Sequence, residues 1–498
     1  MLEAVFQGLL LTLQPEAFFY QMLGLAIGLV FGVVPGLSGI QAMAIIIPFI
    51  FTMEPNVAFS FLLGAHVATI FAGSITAILI NVPGTSLSIA TCWDGHPMAQ
   101  KGEGGRALGI SAASSTIGGL VGVLILALAI PIMQPMILAM QPAEFFMVAM
   151  LGLTLIVTLS TKSMLKGMIS GLLGLLLSFV GQDPVTGVAR YTFGTLYLMD
   201  GVDLIAVVTG LYAIGEMIKL FVEGGSIAKQ KVTNDWRGVW QGVMDTLRHW
   251  WLTVRCSVIG ALVGACPGVG GTVANVVAYG HAVQTSKDPD SFGTGRPEGL
   301  IAPETSNNAK EGPQMIPTLA LGIPGGESSA ILLGAFLILG LQPGPAMLTE
   351  HLDITFTIIW IIALSSILAS VVGLLLARQL ATITAVPGKV LVPIVISLGV
   401  VGAFASSGHI TDVFVAIGFG VLGYLMRKFG YSEACLIIGL VLGTIVERNF
   451  QLATMIYGLS FFYTRPISLI LLIVIVLFLF LPIIRNRKSA KSGKGVAA

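Results

Sequence analysis

Apolar residues in this chain gather into long runs and do not alternate with polar ones. Runs occupy 18–34, 36–52, 56–80, 107–130, 143–159, 164–181 and 203–222. After a polar stretch from Glu223 to Arg255 they resume at 256–285, 313–341, 354–377, 388–404, 410–426, 432–446 and 466–484. Their length and lack of a two-residue period predict helices, because a membrane β-barrel shows alternating segments of about ten residues. A helix crosses the hydrocarbon core with about 20 apolar residues, so roughly a dozen crossings fit. The expected fold is all-α and polytopic. Its expected parts are a first membrane repeat at 1–222, a central cytoplasmic linker at 223–255 and a second repeat at 256–450. A further membrane helix at 451–484 and a basic cytoplasmic tail at 485–498 complete the chain.

The repeat is read from breaks inside the runs. Gly28, Gly32, Pro35, Gly36 and Gly39 recur with the same spacing as Gly260, Gly264, Pro267, Gly268 and Gly271. A second ordered pair sets Asn81, Pro83 and Gly84 against Gly322, Pro324 and Gly325, and a looser third sets Gly95, Pro97 and Met98 against Gly344, Pro345 and Met347. Interior Pro and Gly would break a soluble helix, whereas a membrane helix tolerates them where the freed backbone meets protein or a cavity. The two halves are read as a duplication.

Charge orients them. No Lys or Arg precedes Lys101, whereas the central stretch holds Lys229, Lys231, Arg237, Arg248 and Arg255. The tail carries Arg485, Arg487, Lys488, Lys491 and Lys494 with no acid. The positive-inside rule puts the central loop and the C-terminus in the cytoplasm and the N-terminus outside. Each repeat then crosses an odd number of times, which makes the halves inverted copies, as in many secondary transporters.

Composition removes other classes. Residues are 55% hydrophobic and 10% charged, against about 25% charged in soluble proteins. The net charge of +1 points to no nucleic-acid partner, and Cys92, Cys256, Cys266 and Cys435 form no CxxC pair. The opening MLEAVFQGLL lacks a basic signal-peptide region. There is no GxxxxGK[ST] and no HExxH, so the chain is not read as an enzyme and no metal ligand is assigned.

A Pro-Gly pair ends one helix and lets the next begin just beyond it. Candidate binding residues therefore cluster at four breaks: Pro35, Gly36, Ser38 and Gly39; Asn81, Pro83, Gly84, Thr85 and Ser86; Pro267, Gly268, Gly271 and Thr272; and Pro324, Gly325, Gly326, Glu327 and Ser328. New helix N-termini carry partial positive charge and favour carboxylates. The runs hold almost no Lys or Arg, so a polycarboxylate would need Na⁺ or H⁺ moving with it as coupling ion. Asn307 and Asn308 could bind a cation or a carboxylate, although Arg296, Glu298 and Lys310 around them also suit a solvated loop. The competing reading makes the breaks packing hinges of a channel-like or structural subunit. His66 is expected to be a packed polar residue, Asp94, Lys101 and Arg106 to form a loop, and Glu216 and Glu447 to snorkel without a role. Glu327 either is a mere helix-start residue or, beside an anion site, faces away, is protonated, or pairs with a coupling cation or a positive substrate group.

At these residues the chain resembles the large membrane subunit of the tripartite tricarboxylate transporters, the TctA family. The resemblance rests on VVPGLSG at 33–39, GSITAILINVPG at 73–84, DGHPMAQKG at 94–102, RCSVIGALVGACPGVGG at 255–271, SFGTGRPEGLIAPETSNNA at 291–309, LGIPGG at 321–326 and LQPGPAM at 341–347. It implies an ion-driven permease for small organic carboxylates in a bacterial inner membrane. It also implies a small four-helix membrane partner and a periplasmic solute-binding protein. The chain departs from the family pattern at Phe71 and Ala72, where Tyr-Gly is usual, and at Gly280 and His281, where an acidic-basic pair is usual. It departs again at Glu327, where a small residue is usual.

Overall fold

A computed structural model describes residues 1–34, 37–159, 163–223, 236–267, 271–383 and 388–491. The chain is all-α, and among the described residues strand is confined to a short hairpin pairing Gly181–Gln182 with Ala189–Arg190. Among the described residues, seven helices are long and apolar enough to cross a membrane, and shorter apolar helices accompany them.

Both halves follow one order of elements. In the first, α1 (Pro15–Val33) meets the break and continues as α2 (Gly39–Ile46). Then α3 (Pro55–Ile80) leads to the second break, α4 (Ile89–Gln100) and the long α5 (Gly104–Leu138). In the second half α6 (Trp250–Ala265) and α7 (Gly271–Thr285) flank the break. Next come α8 (Pro297–Ala309), α9 (Glu311–Leu321), α10 (Glu327–Ile338) and α11 (Leu352–Leu375). Lys310 joins α8 to α9 in helical geometry, with φ −73° and ψ −23°. The segment 297–321 is therefore the counterpart of α3, and not the solvated loop that is the alternative reading around Asn307.

The packing is duplicated in register. A Cβ on Gly28 would collide with the Ala65 carbonyl, and one on Gly32 would lie 2.6 Å from the Thr69 carbonyl oxygen. In the second half Gly260 faces the Ser306 carbonyl in the same way, and Gly264 the Lys310 carbonyl at 2.5 Å. Small residues four apart let the backbones touch, the usual means of joining helices in lipid, where apolar burial drives little. Helix ends match too: Asn81 closes α3 with φ 56° and Gly322 closes α9 with φ 67°. That left-handed cap is one that Gly, and among side chains Asn, adopts most readily.

The halves also exchange contacts. α5 packs on α8 and α9, and α11 packs on α3, so each long helix covers the other half's central helix. Gly118 abuts the Thr305 carbonyl and Gly312 the Gly122 carbonyl, while Gly373 leaves room for the Phe71 ring. Helix α3 is consequently buried on nearly every side. The far end of α5 instead exposes Leu124, Leu128, Ile132 and Met136, an apolar stripe at four-residue spacing suited to lipid.

Three expectations about charged residues are corrected. Asp94 does not sit in a loop: it is fully buried in α4, accepts the backbone N–H groups of Gly293, Gly295 and Arg296 at 2.8–2.9 Å, and takes the Tyr279 hydroxyl at 2.9 Å. Glu216 and Glu447 do not snorkel: Glu216 pairs with Arg427, and Glu447 with Arg190 at 2.5 Å. Arg106 bonds to Asp245 at 2.6 Å on Trp236–Arg248, so the second half of the central polar stretch is a helix laid against α5.

Candidate functional site

Four helix ends come together around a short polar chain. Ser38 caps α2 by accepting the Ile40 N–H at 3.3 Å. Next to it, Gly39 faces His66 Nδ1 and leaves 2.7 Å to the Thr69 hydroxyl where its own Cβ would stand. At the second break Gly84 donates to the Gly73 carbonyl at 3.2 Å and lies against the Gly32 carbonyl, so the first two breaks touch. The Thr272 hydroxyl reaches the Ser86 carbonyl at 3.4 Å, Asn275 accepts the Ala90 N–H at 3.0 Å, and Asn307 donates to the Leu87 carbonyl at 3.2 Å. These bonds tie the second break to the third. At the fourth, Gly325 donates to the Thr318 hydroxyl at 3.2 Å and packs on the Gln314 carbonyl.

Charge runs between them. Lys310 is buried, and its alkyl stem fills the place where Gly271 lacks a side chain. Its ammonium pairs with Glu311, also buried. Glu311 in turn holds His66 Nε2 at 3.1 Å and the Gln314 amide at 2.9 Å, and that amide also donates to Ser328 at 3.0 Å. Glycines of breaks one and three thus face His66 and Lys310, and break four meets the same carboxylate through Gln314. A lysine ammonium has three donors, of which Glu311 takes one. His66 Nδ1 and the Ser329 hydroxyl are buried without a partner among the described residues. Burying charge and leaving polar atoms open is costly, so such a place is a binding-site candidate.

Of the residues singled out in the sequence, Ser38, Gly39, Pro83, Gly84, Ser86, Gly271, Thr272, Asn307, Gly325 and Ser328 lie on this chain of contacts or directly beside it. Pro35, Gly36 and Gly268 lie outside the described residues, with Pro267 half-buried at the edge of that gap and Pro324 buried next to Gly325. Thr85 is buried without a hydroxyl partner among the described residues, whereas Asn81 is exposed at the end of α3. Asn308 faces Gly119 on α5. Glu327 is exposed in the first turn of α10, the helix-start position expected for it.

His66 is packed and polar as expected, its Nε2 hydrogen-bonded to Glu311, whereas the buried Lys310 and Glu311 are site residues that the sequence reading missed. One signal was available for both. Extending the repeat outward from the second break aligns Thr69 with Lys310 and turns 297–321 into a buried helix, where charge calls for explanation.

The model of the tripartite tricarboxylate transporter TctA family matches residues 18–438. The chain belongs to that family. It is 32% identical over 484 residues, 96% of both chains, to an "Uncharacterized 52.8 kDa protein in TAR-I ttuC' 3'region" of Agrobacterium vitis. A second protein of that organism, "Uncharacterized protein in TAR-II ttuC' 3'region", is 32% identical over 234 residues, 46% of this chain and 97% of its own. No solved structure matches. This TctA-family chain is a multi-pass membrane protein, the large membrane subunit of a tripartite transport system, and the family is one of transporters.

Proposed function

We propose that this TctA-family chain is the permease of a secondary active uptake system for small organic carboxylates in a bacterial inner membrane. A Na⁺ or H⁺ gradient drives it, a periplasmic binding protein delivers the substrate, and a small four-helix membrane subunit completes the assembly. Lys310 carries the reading: one buried ammonium where the Pro-Gly breaks of both halves meet. A substrate carboxylate would take the donors left free on Lys310, with N-terminal amides of α2 and α7 adding partial positive charge. Glu311 holds the ammonium in place and keeps the empty site neutral. The test is uptake of labelled di- and tricarboxylates into proteoliposomes holding both membrane subunits, with binding protein outside and the ion gradient varied. Uptake should need the binding protein and collapse in Lys310→Met. Equal uptake by Lys310→Met would return the breaks to packing hinges.

A further inference from the structure

One buried carboxylate stands outside the Lys310 site. Glu304 on α8 is fully buried, and its four hydrogen bonds all come from hydroxyls. Oε1 accepts Ser74 at 2.8 Å and Thr91; Oε2 accepts Ser111 at 2.8 Å and Ser115 at 3.1 Å. These donors come from α3, α4 and α5, all in the other half of the chain. Among the described residues no basic side chain pairs with it, and Lys310, just beyond the end of α8, is bound to Glu311. Hydroxyls can orient toward a carboxylate but cannot neutralise it, and an uncompensated buried charge is expensive.

More oxygen lies beside it than the carboxylate uses. Ser74 Oγ is 3.4 Å from Ser88 Oγ. Ser88 Oγ and Thr85 Oγ1 each lie 3.0 Å from the place where Gly73 lacks a Cβ, so only a glycine lets both hydroxyls converge this closely on α3. Thr85 is 5% exposed, and its hydroxyl has no partner among the described residues. Thr85 and Ser88 belong to the second break, which continues through Leu87 to Asn307 and Lys310.

We infer that Glu304, Ser74, Thr85 and Ser88 form a site for one dehydrated monovalent cation of the size of Na⁺. The inference rests on the transport reading above and locates its coupling ion. The donor set selects the ion's class: hard oxygens with no imidazole or thiolate ligand disfavour transition metals. A single carboxylate balances one positive charge, so a divalent ion would leave an unpaired charge in the same dry space. A proton on Glu304 would neutralise it but would leave the Thr85 hydroxyl unpartnered. Bound Na⁺ would hold the second break against α8, three residues before Asn307, and so favour the arrangement that presents Lys310 to substrate.

The test uses the purified full chain in nanodiscs with no carboxylate and no partner. Binding of ²²Na⁺ is measured directly, and thermal unfolding is compared in NaCl, KCl and choline chloride at one ionic strength. The wild type should bind Na⁺ saturably and unfold at higher temperature in NaCl than in either other salt. Thr85→Ala and Ser88→Ala should each weaken Na⁺ binding about tenfold, and Glu304→Gln should abolish it. Lys310→Met should still bind Na⁺, which separates this site from the substrate site. Absence of Na⁺-specific binding in the wild type overturns the inference, as does binding untouched by Thr85→Ala and Ser88→Ala. Should Glu304→Gln fail to fold, the two alanine variants decide.

Discussion

Lys310→Met is the substitution with the most to say about this protein, because it touches stability and binding by separable amounts. The ammonium is buried against Glu311, which His66 and Gln314 also hold. Removing one member of such a pair strands the other charge and costs about 3–5 kcal/mol of stability. Neutralising both, as Lys310→Met with Glu311→Gln, removes the stranded charge and should recover most of that loss. Binding behaves differently. Losing a desolvated, hydrogen-bonded charge opposite a substrate carboxylate costs about 2–5 kcal/mol, or about 30-fold to a few thousand-fold in affinity at 1.4 kcal/mol per tenfold. The double variant should therefore unfold near the wild-type temperature yet bind labelled di- and tricarboxylates at least about 30-fold more weakly. Thermal unfolding and equilibrium binding on the same purified samples check both halves of the claim. A folded double variant that binds within about threefold of wild type would refute the substrate role.

Further outcomes follow from particular contacts. Gly84→Ala would drive a Cβ into the Gly32 carbonyl, forcing the break away from α1, and should lower stability by about 1–3 kcal/mol; Gly280→Ala, with nothing within 4 Å, should not lower it, and thermal melts compare the two. Asp94→Asn weakens a charge-assisted acceptor of three loop amides, worth about 1.5–3 kcal/mol, and limited proteolysis should then cut faster at 286–296. His249 lies 3.6 Å from Glu298 outside the long apolar helices. The Glu298 side chain raises the His249 pKa above 6.5, despite opposing desolvation, and His249 with Arg296 holds the Glu298 carboxyl well below 4.5. The histidine's contribution is fully present below pH 6.5 and fades as pH rises through its raised value, while the carboxylate's is present above pH 4.5 and fades in stronger acid. Glu298→Gln should accordingly lower the melting temperature more at pH 6 than at pH 9, and equal losses would contradict the pairing.

The sequence was legible wherever period and punctuation carried the information. Runs without alternation required helices, and the Pro-Gly spacing located the repeat, because lipid allows few ways to end a helix. Charge was harder to read. Lys310 and Glu311 stand beside Asn307 and Asn308 in a segment with five charged residues between Arg296 and Glu311, and local polarity alone makes that segment a loop. Apart from the repeat extended from the second break, what makes it an interior helix is the packing of α5 across α8 and α9, a contact between residues far apart in sequence. Glu304 was hidden for the same reason. Its four hydroxyl donors are small residues on three other helices, and no spacing rule joins Ser74, Thr91, Ser111 and Ser115 to it.

Duplication explains why the site is asymmetric although its frame is not. Gly39 and Gly271 occupy equivalent places, and each opens onto the same position of the central helix: Thr69 in one half, Lys310 in the other. His66 aligns likewise with Asn307. Two lysines at these positions would face each other across touching breaks, and their repulsion in a dry interior would oppose closing the halves together. Two threonines would leave only helix ends to hold an anion. One lysine, balanced by Glu311 and steadied from the other half by His66, gives a single charged locus that both halves shape. A motion of either half must therefore change the surroundings of the same ammonium. The backbone symmetry supplies two related arrangements of the breaks, and under the proposed function the broken chemical symmetry would let both act on one bound carboxylate.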